Sequence, residues 1–168
     1  MSERNSAMDR RRAHEFDAFV AGAAGRLLHA ATLLTAEPAT ANPQAQRLLT
    51  AALARTYADW DRLRGEDPYN LTRQELAVRF ARSAWRHHRV FAHSTWRHQR
   101  VRGGVLDRLS PQERLVLVLR LHEGVAEEQT AAIIGLPADR VRAICNRAVA
   151  TMRSAPRPRR RAVLRAAS

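Results

Sequence analysis

Four polar residues near the carboxyl end of the chain have side chains that could hydrogen-bond to the edges of DNA bases. They are Arg140, Arg142, Asn146 and Arg147. Arginine donates two hydrogen bonds to O6 and N7 of guanine, and asparagine pairs in a similar way with adenine. On a helix these side chains can project away from the apolar positions 141, 144, 148 and 152. The alternative is that they are ordinary solvated side chains of an amphipathic helix.

The stretch from residue 109 to residue 153 predicts the elements that would position this group. It consists of a long buried helix, a short helix, a tight turn at Gly135 and a third helix rich in arginine. That order is typical of a helix-turn-helix, whose last helix enters the DNA major groove. Ser110 as N-cap, Pro111 and Glu113 form a capping box at the start. The capping box favours a helix over a buried strand for the apolar run that follows it.

A second basic group lies on the predicted third helix of the chain. Its members are Arg79, Arg82, Trp85, Arg86, His87 and Arg89. Single-stranded nucleic acid binds to a cationic groove beside aromatic faces, because the groove holds the backbone while bases stack on the rings. Trp85 could equally pack in the core, and its helical spacing leaves both interpretations open.

The charge of the chain indicates a polyanionic partner. There are 29 Lys and Arg residues against 16 Asp and Glu, a formal net charge of +13, and all of the 29 are arginine. The excess is concentrated, because no acidic residue occurs between Leu76 and Leu106 or after Asp139. Such surfaces attract nucleic acid, since neutralised phosphates release their condensed counterions. A GC-rich genome explains the use of arginine instead of lysine, but it does not explain the net excess.

Other candidate sites are weaker. Four histidines lie close together in sequence: His87, His88, His93 and His98. They lack a neighbouring cysteine or carboxylate, so we expect no metal site. Four acidic residues also cluster: Asp59, Asp61, Glu66 and Asp67. They stand beside arginines at a predicted helix end, which indicates a solvated surface rather than paired-carboxylate catalysis. With no phosphate-binding glycine loop or nucleophile motif, we expect neither an enzyme nor a cofactor.

The cysteine content and the hydropathy set further bounds. Cys145 is the single cysteine, which rules out an internal disulfide, and we expect it to be a small buried side chain. No apolar run reaches the roughly 18 residues of a membrane span, and the N-terminus lacks the apolar core of a secretion signal. We therefore expect a cytoplasmic protein that does not contact a membrane.

The pattern of apolar residues predicts an all-α protein with two helical domains. The N-terminal domain would span residues 13–91 and the helix-turn-helix domain residues 105–154. Residues 92–104 lose the periodicity and are predicted to be the linker. We expect flexible basic tails at residues 1–12 and 155–168.

Within the N-terminal domain the sequence predicts three helices. Their approximate limits are Glu15 to Thr35, Gln44 to Arg64 and Leu71 to Arg89. A stretch with two prolines separates the first two, and Gly65 and Pro68 end the second. We expect Trp60 to belong to the core.

The order of these motifs resembles the sigma factors of bacterial RNA polymerase, specifically the small extracytoplasmic-function type. In the N-terminal half the resemblance is carried by EFDAFV, LLT at 33–35, ALARTYADWDRL at 52–63 and ARSAWR at 81–86. In the C-terminal half it is carried by LDRLSPQERLVLVLRLHEG and by IIGLP followed by RVRAICNRAVATMR. Each motif alone is weak, but their order and spacing from about Glu15 to Arg153 are specific.

The resemblance implies two helical units with separate tasks, a region 2-like unit and a region 4-like unit. The first reads and opens the −10 promoter element, and the basic group from Arg79 to Arg89 is the matching surface. The second reads the −35 element through the group from Arg140 to Arg147. The implied partners are double-stranded promoter DNA, RNA polymerase core and an anti-sigma factor.

The chain departs from the family where relatives dock on the polymerase clamp. Family members usually carry acidic residues before the motif matched by ALARTY, whereas this chain has QRLLTA at 46–51. Acids are expected at three positions that here carry Gln46, Arg47 and Ala51, whereas Leu48 and Leu49 keep the apolar positions. An unpaired or like charge at a desolvated contact costs a few kcal/mol, so Arg47 weakens the case for polymerase binding by the usual contacts.

Three hypotheses remain open. The first is a sigma factor that directs transcription initiation by recognising the −10 and −35 elements. The second has the same fold but is a divergent paralogue that does not recruit core polymerase and regulates by binding DNA or another protein. The third is a protein-interaction module whose basic surfaces bind an acidic partner such as an anti-sigma factor.

Overall fold

A computed structural model describes residues 2–63, 65–90 and 105–154, and within these ranges it contains six α-helices and no strand. The helices are α1 (Ser2–Thr35), α2 (Pro43–Ala58), α3 (Pro68–Val90), α4 (Pro111–Leu117), α5 (Glu127–Ile134) and α6 (Ala138–Arg153). The prediction of an all-α fold is confirmed. The segments predicted as linker and as C-terminal tail lie outside the described residues. We refer to α1–α3 as the N-terminal unit and to α4–α6 as the C-terminal unit.

The first helix begins earlier than its periodicity predicted. The expected start was Glu15, whereas α1 begins at Ser2. Arg12 anchors this part of the helix, because its Nη1 lies 2.9 Å from Oδ2 of Asp61 and its guanidinium lies 4.4 Å from the centre of the Tyr57 ring. Both partners are more than forty positions away in sequence, so no local pattern could indicate the earlier start. The flexibility expected of residues 1–12 stays a prediction.

The same helix is long and apolar enough to cross a membrane by length and composition. Its span Ser6–Thr35 contains a window of 18 residues with a mean hydropathy of 1.3, of which 28% is buried. This finding corrects the expectation that no apolar stretch of the chain reaches the length of a membrane span. The core helix of a soluble protein passes the same test, and Leu27, Ala31 and Leu34 of α1 do pack in the core.

A buried carboxylate holds the connection between α1 and α2. Glu37 is 6% exposed and accepts hydrogen bonds from the backbone N–H groups of Gln44 at 3.1 Å and Ala45 at 2.8 Å. A carboxylate at this place satisfies free N–H groups of the helix and interacts favourably with its dipole. The proline-containing stretch that the sequence marked as a simple connection therefore supplies a cap for α2.

The second helix ends earlier than predicted, at Ala58 instead of Arg64. The chain turns at Asp59, whose carboxylate lies 2.8 Å from Nε of Arg55, and a short 3₁₀ helix follows at Trp60–Arg62. The turn brings the Trp60 ring to 5.2 Å from the ring of Phe16 on α1. Trp60 thus packs against other aromatic residues, in agreement with the role expected for it.

The three helices of the N-terminal unit pack around an apolar core. Buried members come from each helix: Leu27, Ala31 and Leu34, then Ala45, Leu49 and Ala52, then Leu76, Ala77 and Phe80. A hydrogen bond of 2.8 Å joins the hydroxyl groups of Thr56 on α2 and Thr72 on α3, both fully buried. The third helix begins at Pro68, three residues before its predicted start at Leu71. Proline is well accommodated at the first helical position.

The C-terminal unit begins with the predicted capping box. Oγ of Ser110 accepts a hydrogen bond from the backbone N–H of Glu113 at 3.2 Å, and the Glu113 carboxylate accepts one from Ser110 N–H at 2.9 Å. The predicted long helix is regular only to Leu117 and then continues as a π-helical turn over Val118–His122. That turn is closed by a bond of 2.9 Å from the N–H of Glu123 to the carbonyl of Val118. The wider turn rotates the residues that follow it relative to a regular helix.

The two units share one core. Leu76 and Phe80 of α3 belong to the same buried cluster as Leu115 of α4, Leu119 of the π-helical turn and Ile134 of α5. Contacts run from α3 to α4 and α5, and from α1 to α4 and the π-helical turn. We call this the closed arrangement. The sequence predicted the two units but contained no signal for the way in which they meet.

Candidate DNA interface

The sixth helix separates its apolar and polar residues as predicted. Val141, Ile144 and Ala148 are at most 2% exposed and form the inner face. The predicted DNA-binding residues Arg140, Arg142, Asn146 and Arg147 are all exposed. The helix packs against α4, α5 and the 3₁₀ turn Val105–Arg108. Its polar face is therefore accessible to a ligand in the closed arrangement.

A tight turn sets the position of α6 relative to α5. Gly135 has a φ of 69°, a left-handed conformation that glycine adopts without steric cost, and the N–H of Leu136 reaches the carbonyl of Ala131 at 3.1 Å. Pro137 occupies the N-cap position of α6 and provides no side-chain cap. Oδ1 of Asp139 accepts a hydrogen bond of 2.9 Å from the backbone N–H of Arg140 instead. The helix-turn-helix inferred from the sequence is present, with its turn at the predicted glycine.

One member of the predicted group has a partner within the protein. Nη2 of Arg142 donates to Oε1 of Glu127 at 2.7 Å, and Nε of Arg142 donates to Oε2 at 3.3 Å. Glu127 lies in the first turn of α5, and its side chain is 13% exposed against 65% for Arg142. Glu127 was not among the residues predicted from the sequence. A signal was available, because in a helix-turn-helix the start of the first helix lies close to the second helix, so that an acid there can pair with an arginine of the second helix. Glu127 and Glu128 both stand in that first turn, and the sequence did not show which of the two glutamates forms the pair.

Cys145 lies on the same helix and is half-buried. Burial raises the pKa of its thiol, while the positive charge of Arg120 acts in the opposite direction. A thiol with a raised pKa is less nucleophilic at neutral pH, because less thiolate is present. This supports the interpretation of Cys145 as a packing residue.

The basic group on α3 is described only in part. Nε of Arg79 lies 2.6 Å from Oε1 of Glu75, one helical turn earlier, and Arg82 is exposed. The helix continues to Val90, but the side chains of the remaining members lie outside the described residues: Trp85, Arg86, His87 and Arg89. The same is true of the four clustered histidines. Among the residues that are described, no group of histidine, cysteine or carboxylate side chains could hold a metal ion.

The segment predicted to dock on polymerase is on α2. Gln46 and Arg47 are exposed, Leu48 is half-buried and Leu49 is 7% exposed. Nε2 of Gln46 donates a hydrogen bond of 2.9 Å to Oδ1 of Asn42. The segment thus presents a positive charge and an amide to solvent, while Leu49 packs inside.

Two of the four clustered acidic residues form salt bridges, and the other two are exposed. Asp59 pairs with Arg55 at 2.8 Å, and Asp61 pairs with Arg12 at 2.9 Å. Glu66 and Asp67 are exposed in the connection before α3. This arrangement agrees with a solvated surface.

A buried carboxylate also links the two units. Glu123, whose side chain is fully buried, accepts a hydrogen bond of 2.9 Å from the hydroxyl group of Tyr69 on α3. Its Oε2 lies 3.5 Å from Nη2 of Arg26 on α1 and 3.9 Å from Nη1 of Arg73 on α3. We call these four residues the junction. Burial of the phenol, together with the hydrogen bond and the negative charge of Glu123, raises the pKa of Tyr69 to about 12.

The geometry defines the class of the protein as all-helical with a helix-turn-helix at its C-terminal end. Residues 105–154 match the family described as sigma-70, region 4. The chain is 29% identical over 153 residues to the RNA polymerase sigma-E factor of Streptomyces coelicolor, covering 83% of this chain and 84% of that protein. The sigma-E factor of Streptomyces avermitilis is also 29% identical, with 83% of each chain covered. No solved structure matches the chain significantly.

These matches confirm the resemblance that the motifs indicated. The chain is thus similar to these RNA polymerase sigma factors over 83% of its length, and its residues 105–154 match their region 4.

Proposed function

We propose that this protein directs transcription initiation by recognising two promoter elements, with α6 in the major groove of the −35 element and the basic face of α3 against the −10 element. The observation that carries the proposal is the division of α6 into a fully buried apolar face and an exposed face of arginine and asparagine. A recognition helix requires this combination of rigid packing and outward base-reading side chains. The match of residues 105–154 to sigma-70 region 4 supports the same role.

Substitution of two exposed side chains tests whether α6 reads bases directly. Replacing Arg140 or Arg147 by alanine should weaken binding to a cognate duplex by about 1–3 kcal/mol if the residue reads a base. A residue that contacts phosphate should instead weaken binding to all duplexes equally and lower the salt dependence of affinity. The measurement is a fluorescence-anisotropy titration with cognate and scrambled duplexes at several salt concentrations.

Recognition of both elements requires the closed arrangement to open. Their centres are some 25 base pairs apart, which corresponds to about 85 Å of B-DNA at 3.4 Å per base pair. A compact chain of this length has a radius of gyration of only about 15 Å. Residues 91–104 can span about 46–50 Å when extended, which is enough to let the two units separate along the DNA. The proposal therefore includes separation of the units, with residues 92–104 as the linker.

The partners we propose are promoter DNA and the RNA polymerase core in the cytoplasm. Run-off transcription with purified core and genomic fragments tests this directly, and we expect defined transcripts that depend on the protein. If the protein binds DNA but neither co-purifies with core at moderate salt nor yields transcripts, the role in initiation is refuted.

A second candidate function is favoured by the surface of α2. The exposed Arg47 stands where relatives carry an acid, so a paralogue that regulates by occupying DNA or by binding a protein would retain the fold without recruiting polymerase. Substituting Arg47 by glutamate separates the two functions. A gain of core binding on this substitution would favour the paralogue, whereas strong binding by the unchanged protein would exclude it.

Binding to an acidic protein, such as an anti-sigma factor, is the third possibility for the basic surfaces. Salt dependence discriminates, because binding to duplex DNA should show a slope of about −0.9 per phosphate contact in a double-logarithmic plot. A slope near zero would favour the protein partner.

A further inference from the structure

The contact between Glu127 and Arg142 uses one particular edge of the guanidinium group. An arginine side chain has five N–H donors in a planar fork, and Nε and Nη2 lie along one edge of it. Glu127 accepts from both of these atoms, at 3.3 Å and 2.7 Å. The edge formed by Nη1 and Nη2 keeps N–H groups for another acceptor. Two parallel donors of this kind match the O6 and N7 atoms of guanine.

The partner that holds Arg142 is itself well fixed. Glu127 is in the first turn of α5, and its side chain is 13% exposed, so packing restricts its movement. Arg142 is 65% exposed and would otherwise sample many rotamers in water. Ordering a long side chain on binding weakens affinity, and a side chain that is already ordered avoids that loss. The carboxylate also lowers the positive potential around Arg142, which makes a phosphate a poorer partner for it than a neutral base.

We propose that Glu127 is a positioning residue that determines specificity: it holds Arg142 in the orientation that reads a guanine. This inference rests on the proposed function, because it requires α6 to enter the major groove. Glu127 acts through Arg142 and does not need to touch DNA. The predicted outcome is that Glu127 sets the selectivity for one guanine, in addition to the effect that its negative charge has on the overall affinity for DNA.

The test uses the full-length protein and a duplex enriched by it from a random-sequence library. Each guanine of that duplex is replaced in turn by 7-deazaguanine, which lacks the N7 acceptor. The guanine read by Arg142 is the one whose replacement weakens binding of the wild type but not of Arg142→Ala. The expected loss for the wild type is about 5-fold, the lower end of the range for a bidentate base contact, because O6 of the guanine remains as an acceptor.

The decisive variants are Glu127→Gln and its neighbour Glu128→Gln. Both remove one negative charge from the first turn of α5, so both should raise general affinity for DNA to a similar extent. Only Glu127→Gln should reduce discrimination at the Arg142 guanine, by about 2- to 13-fold, which corresponds to the cost of ordering one long side chain. In the double variant with Arg142→Ala, Glu127→Gln should have no further effect on discrimination, because the two residues act as one unit.

The outcomes separate this inference from the function on which it rests. Failure to enrich any duplex, or binding without salt dependence, would refute the proposed function. Enrichment of a duplex in which no guanine depends on Arg142 would overturn the inference alone. Equal discrimination by the wild type and Glu127→Gln would also overturn it, and would mean that the pair separates when DNA binds.

Discussion

Replacement of Glu123 by glutamine tests whether the junction holds the two units together. The substitution keeps the shape of the side chain and an acceptor for the hydroxyl group of Tyr69, but it removes the charge that faces Arg26 and Arg73. Both arginines belong to the N-terminal unit, and the carboxylate belongs to the C-terminal unit. The closed arrangement should therefore lose stability when the charge is removed.

The structure allows the size of this effect to be worked out. The Glu123 side chain is fully buried and that of Arg73 is 11% exposed, so water screens their interaction poorly. Arg73 lies 3.9 Å from the carboxylate and forms an ion pair with it without a hydrogen bond. The hydrogen bond from the Tyr69 hydroxyl to the charged carboxylate contributes about 1.5–3 kcal/mol, against about 0.5–1.5 kcal/mol for a bond to a neutral acceptor. Arg26 is 59% exposed, and an exposed ion pair adds only about 0–1 kcal/mol. We expect the free energy of unfolding to fall by about 2–3 kcal/mol, because both ion pairs are lost and the bond from Tyr69 is weakened but keeps an acceptor.

Two measurements check this expectation. Thermal unfolding followed by circular dichroism should show a fall in Tm of about 4–12 °C for a chain of this size. Small-angle X-ray scattering should show a radius of gyration larger than the value of about 15 Å expected for a compact chain. Glu128→Gln is the matched control, since it removes the same charge from an exposed position. If Glu123→Gln unfolds within about 0.5 kcal/mol of the wild type, the size of an ordinary surface substitution, and does not expand, the junction does not hold the units together.

Three further predictions concern stability. The pKa of Tyr69 is raised to about 12 in the folded protein. Its protonated hydroxyl group therefore contributes fully to the free energy of unfolding below about pH 10, and this contribution is lost as pH rises towards 12. Tyrosinate absorbance of a Tyr57→Phe variant should show this late titration, and an ordinary midpoint would contradict it. Ser110→Ala should lower the free energy of unfolding by about 1 kcal/mol through loss of the cap, measured by urea denaturation, and no change would refute the role of the capping box. Gly135→Ala should destabilise by about 1–2 kcal/mol because its φ of 69° suits glycine, and an unchanged urea midpoint would show that the turn relaxes.

Several parts of the fold could be predicted because their signals are local. The capping box at Ser110 and the left-handed turn at Gly135 each depend on a few neighbouring residues, so their spacing in sequence is sufficient to indicate them. The buried face of α6 follows from the helical repeat of Val141, Ile144 and Ala148 in the same way. The exposed residues of that helix were found because the repeat leaves them on the other face.

Local signals were insufficient where a distant partner decides the outcome. The periodicity placed the start of α1 at Glu15, but Arg12 has partners at Tyr57 and Asp61, which no window of neighbouring residues contains. The apolar run after Ser110 predicted one long helix, whereas the chain widens into a π-helical turn before Glu123. The predicted role of the basic group on α3 stays a prediction.

The amino-acid pattern was enough to predict the six helices in outline, the helix-turn-helix and the exposed face of α6, because each depends on short-range periodicity and capping. The contacts of Glu127 with Arg142, and of Glu123 with Arg26 and Arg73, became known only from the packing of the helices. The residues of these pairs are 15 or more positions apart, and several acids and arginines of similar character compete for each role. Spacing in sequence cannot select among them, since the choice depends on how whole helices pack.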